Sequence, residues 1–385
     1  MMNRVILIVI DGFGIGAMPD AAEYGDEGTN TLVHLAEATG SLHLPTMEAL
    51  GLGHITAIPG VQVMAQPEGC FGRLGFLSSD VDSLGGHWEL NGYMHAVASH
   101  TYPKGFPHSL IAVLEQVSGR KLLGNRVASP GEVLQDYGQD HLASGSPIVW
   151  TDGRRTCHLA AHETVMRPDA LRQLCREARK LLREPWGIMR VVAHPLTGEK
   201  GQVRFSHQRR DFVIEPSGTT MLDVLNRAGQ ILTGVGKAGD LFNGRGLTRT
   251  IPQSHWATLF EDVKGMLKNV PRGLIYVGLD VLESDDVGSA GALHDFDRQL
   301  PSLLEQLRPG DLFVVTGDHG RDPKKVHQGA TREYVPLLMS GPKLVQGVNL
   351  GTRSTAADLG QTIVEALRGE PLAEGDSFLD ALRPG

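Results

Sequence analysis

Three short apolar runs in this chain each stop on a carboxylate. VILIVID ends at Asp11, GLIYVGLD ends at Asp280, and LFVVTGDHG carries Asp318 followed by His319. Carboxylates gathered in one place repel one another unless a cation sits among them. Oxygen donors joined by an imidazole suit divalent ions such as Mn2+, Mg2+ or Zn2+. The runs therefore predict a metal site assembled from distant segments, with Asp11, Asp280, Asp318 and His319 as ligands. A plainer role stays open for any one of these aspartates, because strand-end aspartates often cap the following helix. The second candidate is Asp82-Ser83-Leu84-Gly85-Gly86-His87-Trp88-Glu89. A serine beside glycines can be approached closely by a ligand, and a helix starting near Gly86 would turn free N–H groups toward an anion such as a phosphoryl group. A metal bound to Ser83 Oγ would lower its pKa and make it a nucleophile.

The elements that must position these groups follow from the pattern. Nearly unbroken apolar runs of this length read as buried strands of a parallel sheet, whose ligand crevice lies beyond the carboxyl ends of the strands. The N-terminal strand leads into a glycine-rich turn at Gly12, Gly14 and Gly16 and then a short amphipathic helix. The stretch around SSDVDSLGGHWELNGYM reads as loop up to Gly86. Between about Ser99 and Gly218 the texture changes, with proline, histidine and arginine clustered in TYPKGFPHSL, TDGRRTCHLAAHE and VRFSHQRRDF. The helical pattern RPDALRQLCREARKLLRE and the strand patterns PIVWT and MRVVAHP fall in the same region. From GTTMLDVLNRAG onward helix and strand patterns alternate again. The simplest account is an α/β core formed by residues 1–98 and 219–385, interrupted by an α+β insertion at 99–218.

Bulk properties narrow the function classes. A chain of 385 residues is long enough for two domains with substantial cores. A net charge of −8 without a long basic run argues against nucleic acid or an anionic membrane as partner. Cys70, Cys157 and Cys175 have neither an even count nor a metal-binding spacing, which points to a reducing cytoplasm. The opening VILIVI is too short to span a bilayer and runs directly into Asp11.

Taken in order, VIDGFGIGAMPDAAEYGD, LPTMEALGLGHI, DSLGGHWE, FPHSL, GRKLLGNRVASPGEVL, LAAHE, TGDHGRDP and TREYVPLL resemble the phosphopentomutase family of the alkaline phosphatase superfamily, nearly end to end. The resemblance implies an α/β, alkaline-phosphatase-like core with a mostly parallel sheet and an inserted α+β cap domain. It also implies two manganese ions and a phosphorylated hydroxyl residue that shuttles phosphate between C1 and C5 of a pentose. Ser83 stands at the position of the family's nucleophilic threonine, and the motif's second threonine is Gly85. Asp11, Asp318 and His319 match one metal site. At the other, Asp280 matches the first ligand, Asp285 replaces a histidine, and Ala330 replaces the histidine that precedes Thr-Arg-Glu. His327, three residues before Ala330, is the candidate substitute. One site is thus expected to be intact and the other depleted, with one or two ions bound.

The insertion diverges as well. Arg154 takes the place of a sugar-holding aspartate, and His194 that of an arginine. His162, Arg209 and Lys237 complete the candidate substrate contacts, and guanidinium groups suit bidentate binding of phosphate. A small phosphorylated substrate is expected, more anionic than a plain pentose phosphate if the arginines contact it. Three readings follow: a phosphomutase carrying phosphate on Ser83, a phosphatase or other phosphoryl-transfer enzyme on a different substrate, and a weakly active paralogue that binds a phosphorylated ligand.

Overall fold

The strands expected at the two ends of the chain meet in one sheet. In the computed structural model, residues 2–95, 100–199, 201–282, 286–325 and 329–384 are described. They form two units: Met1–Ala96, Pro216–Gly239 and Gly244–Gly385 make the first, and Val97–Glu215 with Asp240–Asn243 the second. The first unit holds an eight-stranded sheet in the order Arg249–Ile251, Leu232–Gly236, Gly273–Leu279, Arg4–Ile10, Asp311–Gly317, Val335–Ser340, Cys70–Leu74, Asn349–Arg353. The first five run parallel, and Val335–Ser340 is antiparallel to both of its neighbours.

Arg4–Ile10, Gly273–Leu279 and Asp311–Gly317 are buried at every residue. That explains their unbroken apolar sequences, because a central parallel strand is covered on both faces. Ile6, Ile8 and Ile10 point to one face and pack with Leu35, Phe260 and Phe296 from the helices Thr31–Thr39, Trp256–Asn269 and Asp286–Leu304. Ile10 lies opposite Leu279 on one side and Gly317 on the other. This register brings Asp11, Asp280 and Asp318 to the same sheet edge.

The opposite edge is held by a buried ion pair. Arg4 Nε donates to Asp311 Oδ1 at 3.1 Å, and its Nη1 donates to the carbonyls of Leu267 and Val270, both at 2.7 Å. One guanidinium thus ties the first strand, the strand beginning at Asp311 and the end of the Trp256–Asn269 helix.

The second unit contains a six-stranded mixed sheet. The Pro168–Leu181 helix buries Leu171, Leu174, Cys175 and Ala178, which share one face at helical spacing. Together with His108–Ser118 it covers one side of the sheet. Pro130–Ser144 covers part of the other and starts with a capping box, in which Ser129 Oγ accepts from Glu132 N and Glu132 accepts from Ser129 N. Asp240–Asn243 joins this unit although it lies outside the expected insertion. Asp240 Oδ2 accepts from Asp211 N at 3.2 Å, and Asn243 Nδ2 donates to Val213 O at 3.1 Å. Among the described residues no helix is long and apolar enough to cross a membrane.

Breaking a buried ion pair by removing one partner costs about 3–5 kcal/mol. Arg4→Met is expected to lower the stability of the first unit by about that amount in denaturant unfolding, and adding Asp311→Leu should recover part of it. A loss of under about 1 kcal/mol for the single variant would contradict this role for Arg4.

Candidate active site

The three strand-end carboxylates converge on one ammonium. Lys237 Nζ lies 2.6 Å from Asp11 Oδ2, 3.3 Å from Asp280 Oδ1 and 3.3 Å from Asp318 Oδ2. Lys237, expected from the sequence among the substrate contacts, therefore also faces all three carboxylates. The Leu232–Gly236 strand ends beside Gly273–Leu279, so the residue that follows it is delivered to the carboxylates. Asp280 Oδ2 also accepts from Gln253 Nε2 at 2.7 Å, and Asp318 Oδ1 accepts from Gly12 N at 3.1 Å.

His319 completes the cluster. Its Nδ1 lies 2.8 Å from the carbonyl of Gly320, a contact that takes the Nδ1 proton and leaves Nε2 facing inward. Nε2 is 2.9 Å from Asp11 Oδ1 and 3.7 Å from Asp318 Oδ1. Burial pulls the imidazole pKa down, but Asp318 and Asp11 outweigh it and raise the value to about 9. Burial also pushes the Asp318 carboxyl up, yet His319 and Lys237 hold it below the ordinary carboxylate range.

Ser83 sits on this cluster. Its hydroxyl donates to Asp11 Oδ1 at 3.3 Å, and its oxygen lies 3.3 Å from both His319 Nε2 and Lys237 Nζ. The helix begins at Ser83 itself rather than near Gly86, spanning Ser83–Leu90. Asp82 caps it by accepting from Gly85 N at 2.8 Å, so the candidate nucleophile occupies the first helical position. The helix presses against the cluster: a methyl group on Gly86 would meet the carbonyl oxygen of Asp318 at 2.0 Å. Glu89, near its end, accepts from Leu77 N and Ser78 N, both at 2.8 Å, and from Thr355 Oγ1 at 2.6 Å. These bonds anchor the helix to the segments on either side of it.

Sequence reasoning missed His87. It lies four residues after Ser83, on the same helical face, and that spacing was the available signal. Asn91 Nδ2 donates to Tyr276 OH at 3.1 Å, which directs the phenolic hydrogen to His87 Nδ1 at 2.6 Å. His87 Nε2 then faces Asp318 Oδ2 at 3.6 Å. Burial drives its pKa down to about 3, so it stands beside the cluster as a neutral ring.

The donor set of Asp11, Asp318 and His319 fits a divalent ion. One ligand atom from each lies within 4.8 Å of the others, and two carboxylates with one imidazole suit a borderline-hard cation. Asp280 belongs to no second group of three among the described residues. Ala330 presents a methyl group where the resemblance called for a ligand, and Asp285 and His327 lie outside the described residues. In the adjoining TREYVPLL motif, Glu333 accepts from Thr31 N at 2.9 Å and Gly16 N at 3.1 Å. Arg332 pairs with Asp20 and donates to the carbonyls of Phe76 and Ser78. These two residues tie together the loops around the site.

The other candidates belong to the second unit. His194 Nε2 lies 3.0 Å from His158 Nδ1, beside the ring of Trp150, and burial holds both imidazoles well below their usual pKa. Arg209 forms a two-pronged pair with Asp211, at 2.9 and 3.3 Å. Arg154 follows Gly153 in the turn between two paired strands, and its N–H donates to Asp152 Oδ1 at 3.0 Å. His162 is held by Thr164 Oγ1 at 2.8 Å and the Gly198 carbonyl at 2.9 Å, so both its ring nitrogens are engaged internally.

Shifting a group that orients a metal ligand typically costs 10–100-fold in affinity. Gly86→Ala, which forces the helix and the Asp318 backbone apart, is expected to weaken Mn2+ binding by about that factor while circular dichroism shows the fold retained. Unchanged affinity would show that the close approach at Gly86 does not position Asp318.

The profile of the Metalloenzyme superfamily matches residues 283–371. A phosphopentomutase of Desulfitobacterium hafniense (strain DSM 10664 / DCB-2) is 41% identical over 387 residues, covering 99% of this chain and 100% of the relative. One of Dictyoglomus thermophilum is 39% identical over 390 residues, covering 100% of both. A solved phosphoglycerate mutase from Leishmania mexicana covers 98% of this chain and 97% of its own at 13% identity; its TM-score of 0.46 adds nothing to the family match. Identity at this level over the whole length is shared ancestry, and the chain belongs to the phosphopentomutase family.

Proposed function

We propose that this phosphomutase interconverts the 1- and 5-phosphates of ribose or deoxyribose, with Ser83 carrying the phosphoryl group. The observation that supports this most strongly is the convergence of Asp11, His319 and Lys237 on Ser83 Oγ. In the first half-reaction the free hydroxyl of the sugar phosphate attacks phosphorus on phospho-Ser83. The Oγ–P bond breaks, the proton lost by the sugar hydroxyl ends on Ser83 Oγ, and a sugar bisphosphate forms. In the second, Ser83 Oγ attacks the phosphorus at the other end of the bisphosphate. That P–O bond breaks, the sugar oxygen takes up a proton, and phospho-Ser83 is restored.

This chain's residues supply orientation and charge for both halves. The hydroxyl of Ser83 is aimed by Asp11, and the N-terminal end of the Ser83–Leu90 helix favours a phosphoryl group at its first residue. Asp11, Asp318 and His319 would hold the ion, with His319 Nε2 giving up its proton. We read it as Mn2+, which suits carboxylate and imidazole donors together. When bound, the ion supplies positive charge to the oxygens of the transferring group.

In the inserted unit, read as a substrate cap, Arg154, His194 and Arg209 are the proposed contacts to the sugar phosphate. His162 is read as an internal strut, since Thr164 and Gly198 occupy its ring.

Phosphorus NMR of the manganese-loaded protein with ribose 1-phosphate and a trace of glucose 1,6-bisphosphate tests the reading. The expected result is a growing ribose 5-phosphate resonance without inorganic phosphate, and a loss on the order of 10³-fold or more in Ser83→Ala. Accumulating inorganic phosphate would identify a phosphatase instead. Full turnover in Ser83→Ala would remove the serine from the mechanism.

A further inference from the structure

We propose that Lys237 is the second cation of the phosphoryl-transfer site, so that this chain works with one bound divalent ion. The inference rests on the reading of Ser83 as phosphoryl carrier and adds the source of the second positive charge.

The ammonium is where such a charge is needed. It contacts all three strand-end carboxylates and lies 3.3 Å from Ser83 Oγ. A donor in that position meets the charge that develops on Oγ when the phosphoserine bond breaks. Lys237 is only 1% exposed. A lysine this deeply buried is tolerated where opposite charges compensate it, and here they surround it.

The path of its side chain is built into the sheet. Lys237 reaches the cluster by crossing Gly278, where a methyl group would lie 2.7 Å from Lys237 Cγ and 3.0 Å from Ala238 N. A larger residue at 278 would close this path. Gly278 is one of the two glycines in a strand otherwise made of bulky apolar residues before Asp280, GLIYVGL. Glycine inside a strand weakens it and commonly marks a close approach of another segment.

Asp280, the carboxylate of the depleted site, is already engaged. One oxygen faces Lys237 and the other accepts from Gln253. Among the described residues no second group of three ligands includes it, and Ala330 supplies no donor. The charges also balance with a single ion. Three carboxylates carry three negative charges, and one ammonium with one divalent cation carries three positive ones. A second divalent ion beside the ammonium would leave these groups with an excess of positive charge.

The test counts ions in the full-length protein and reads their environment. Mn2+ titration by equilibrium dialysis with electron paramagnetic resonance is expected to give one tight ion per wild-type chain, with the hyperfine pattern of isolated Mn2+. Lys237→Met removes the ammonium, and Gly278→Ala displaces it while leaving the lysine in the chain. Both variants are expected to take up a second ion at least about tenfold more tightly than wild type, with an exchange-coupled spectrum. Two equally tight, coupled ions in the wild type would overturn the proposal, as would a folded Lys237→Met whose second-ion affinity is unchanged. If the wild type binds one ion but forms no ribose 5-phosphate, the mutase reading fails while the lysine assignment stands. If it isomerises the sugar phosphate with two coupled ions bound, the reverse holds.

Discussion

Asp11, Asp280 and Asp318 end three neighbouring parallel strands in matching register, and their mutual repulsion is the constraint on which the rest of this site depends. Close carboxylates in a protein interior are stable only if cations or hydrogen-bond donors offset them. The chain answers with Lys237 from the residue after a fourth strand, His319 from the residue after Asp318, and backbone and amide donors from Gly12 and Gln253. Such an arrangement attracts a divalent cation and, through that positive charge, a phosphoryl group. Phosphoryl transfer asks little covalent chemistry of a protein beyond position and charge.

The same constraint explains how tightly the surroundings are packed. Gly86 rests so close to the Asp318 backbone carbonyl that the helix carrying Ser83 has no room there for any side chain. Glu89 and Glu333 use buried carboxylates to hold backbone N–H groups of adjoining segments. At the far edge of the sheet, Arg4 and Asp311 lock two of the same strands. Ser83, the candidate ligands and the counter-charge therefore sit on elements with little freedom to shift, which is what a preorganised electrostatic site requires.

Much of this was legible in the residues. Apolar runs ending on Asp11, Asp280 and Asp318 specified buried parallel strands because a strand covered on both faces has no polar alternation. The adjacency of their ends followed from the crevice rule for open α/β sheets. The motifs carried the family, and DSLGGHWE and DHG carried Ser83, Asp318 and His319. The start of the helix was less legible. Two glycines argued for a loop up to Gly86, whereas packing against Asp318 and the Asp82 cap place the first turn at Ser83. Local propensity yielded there to tertiary contact. Lys237 was visible as a residue but not as a counter-ion, since only the pairing of Leu232–Gly236 with Gly273–Leu279 and the gap at Gly278 bring it across. His162 had the chemistry of a ligand, yet its bonds to Thr164 and Gly198 depend on where the strands of the second unit end.

The central claim is that Ser83 carries the phosphoryl group. Its most direct test is peptide mass mapping of the manganese-loaded protein after brief exposure to glucose 1,6-bisphosphate. The account predicts the added mass of one phosphate group on the peptide containing Ser83, removed again when ribose 1-phosphate is supplied. Phosphate found on a different residue, or turnover without any phosphorylated peptide, would contradict it.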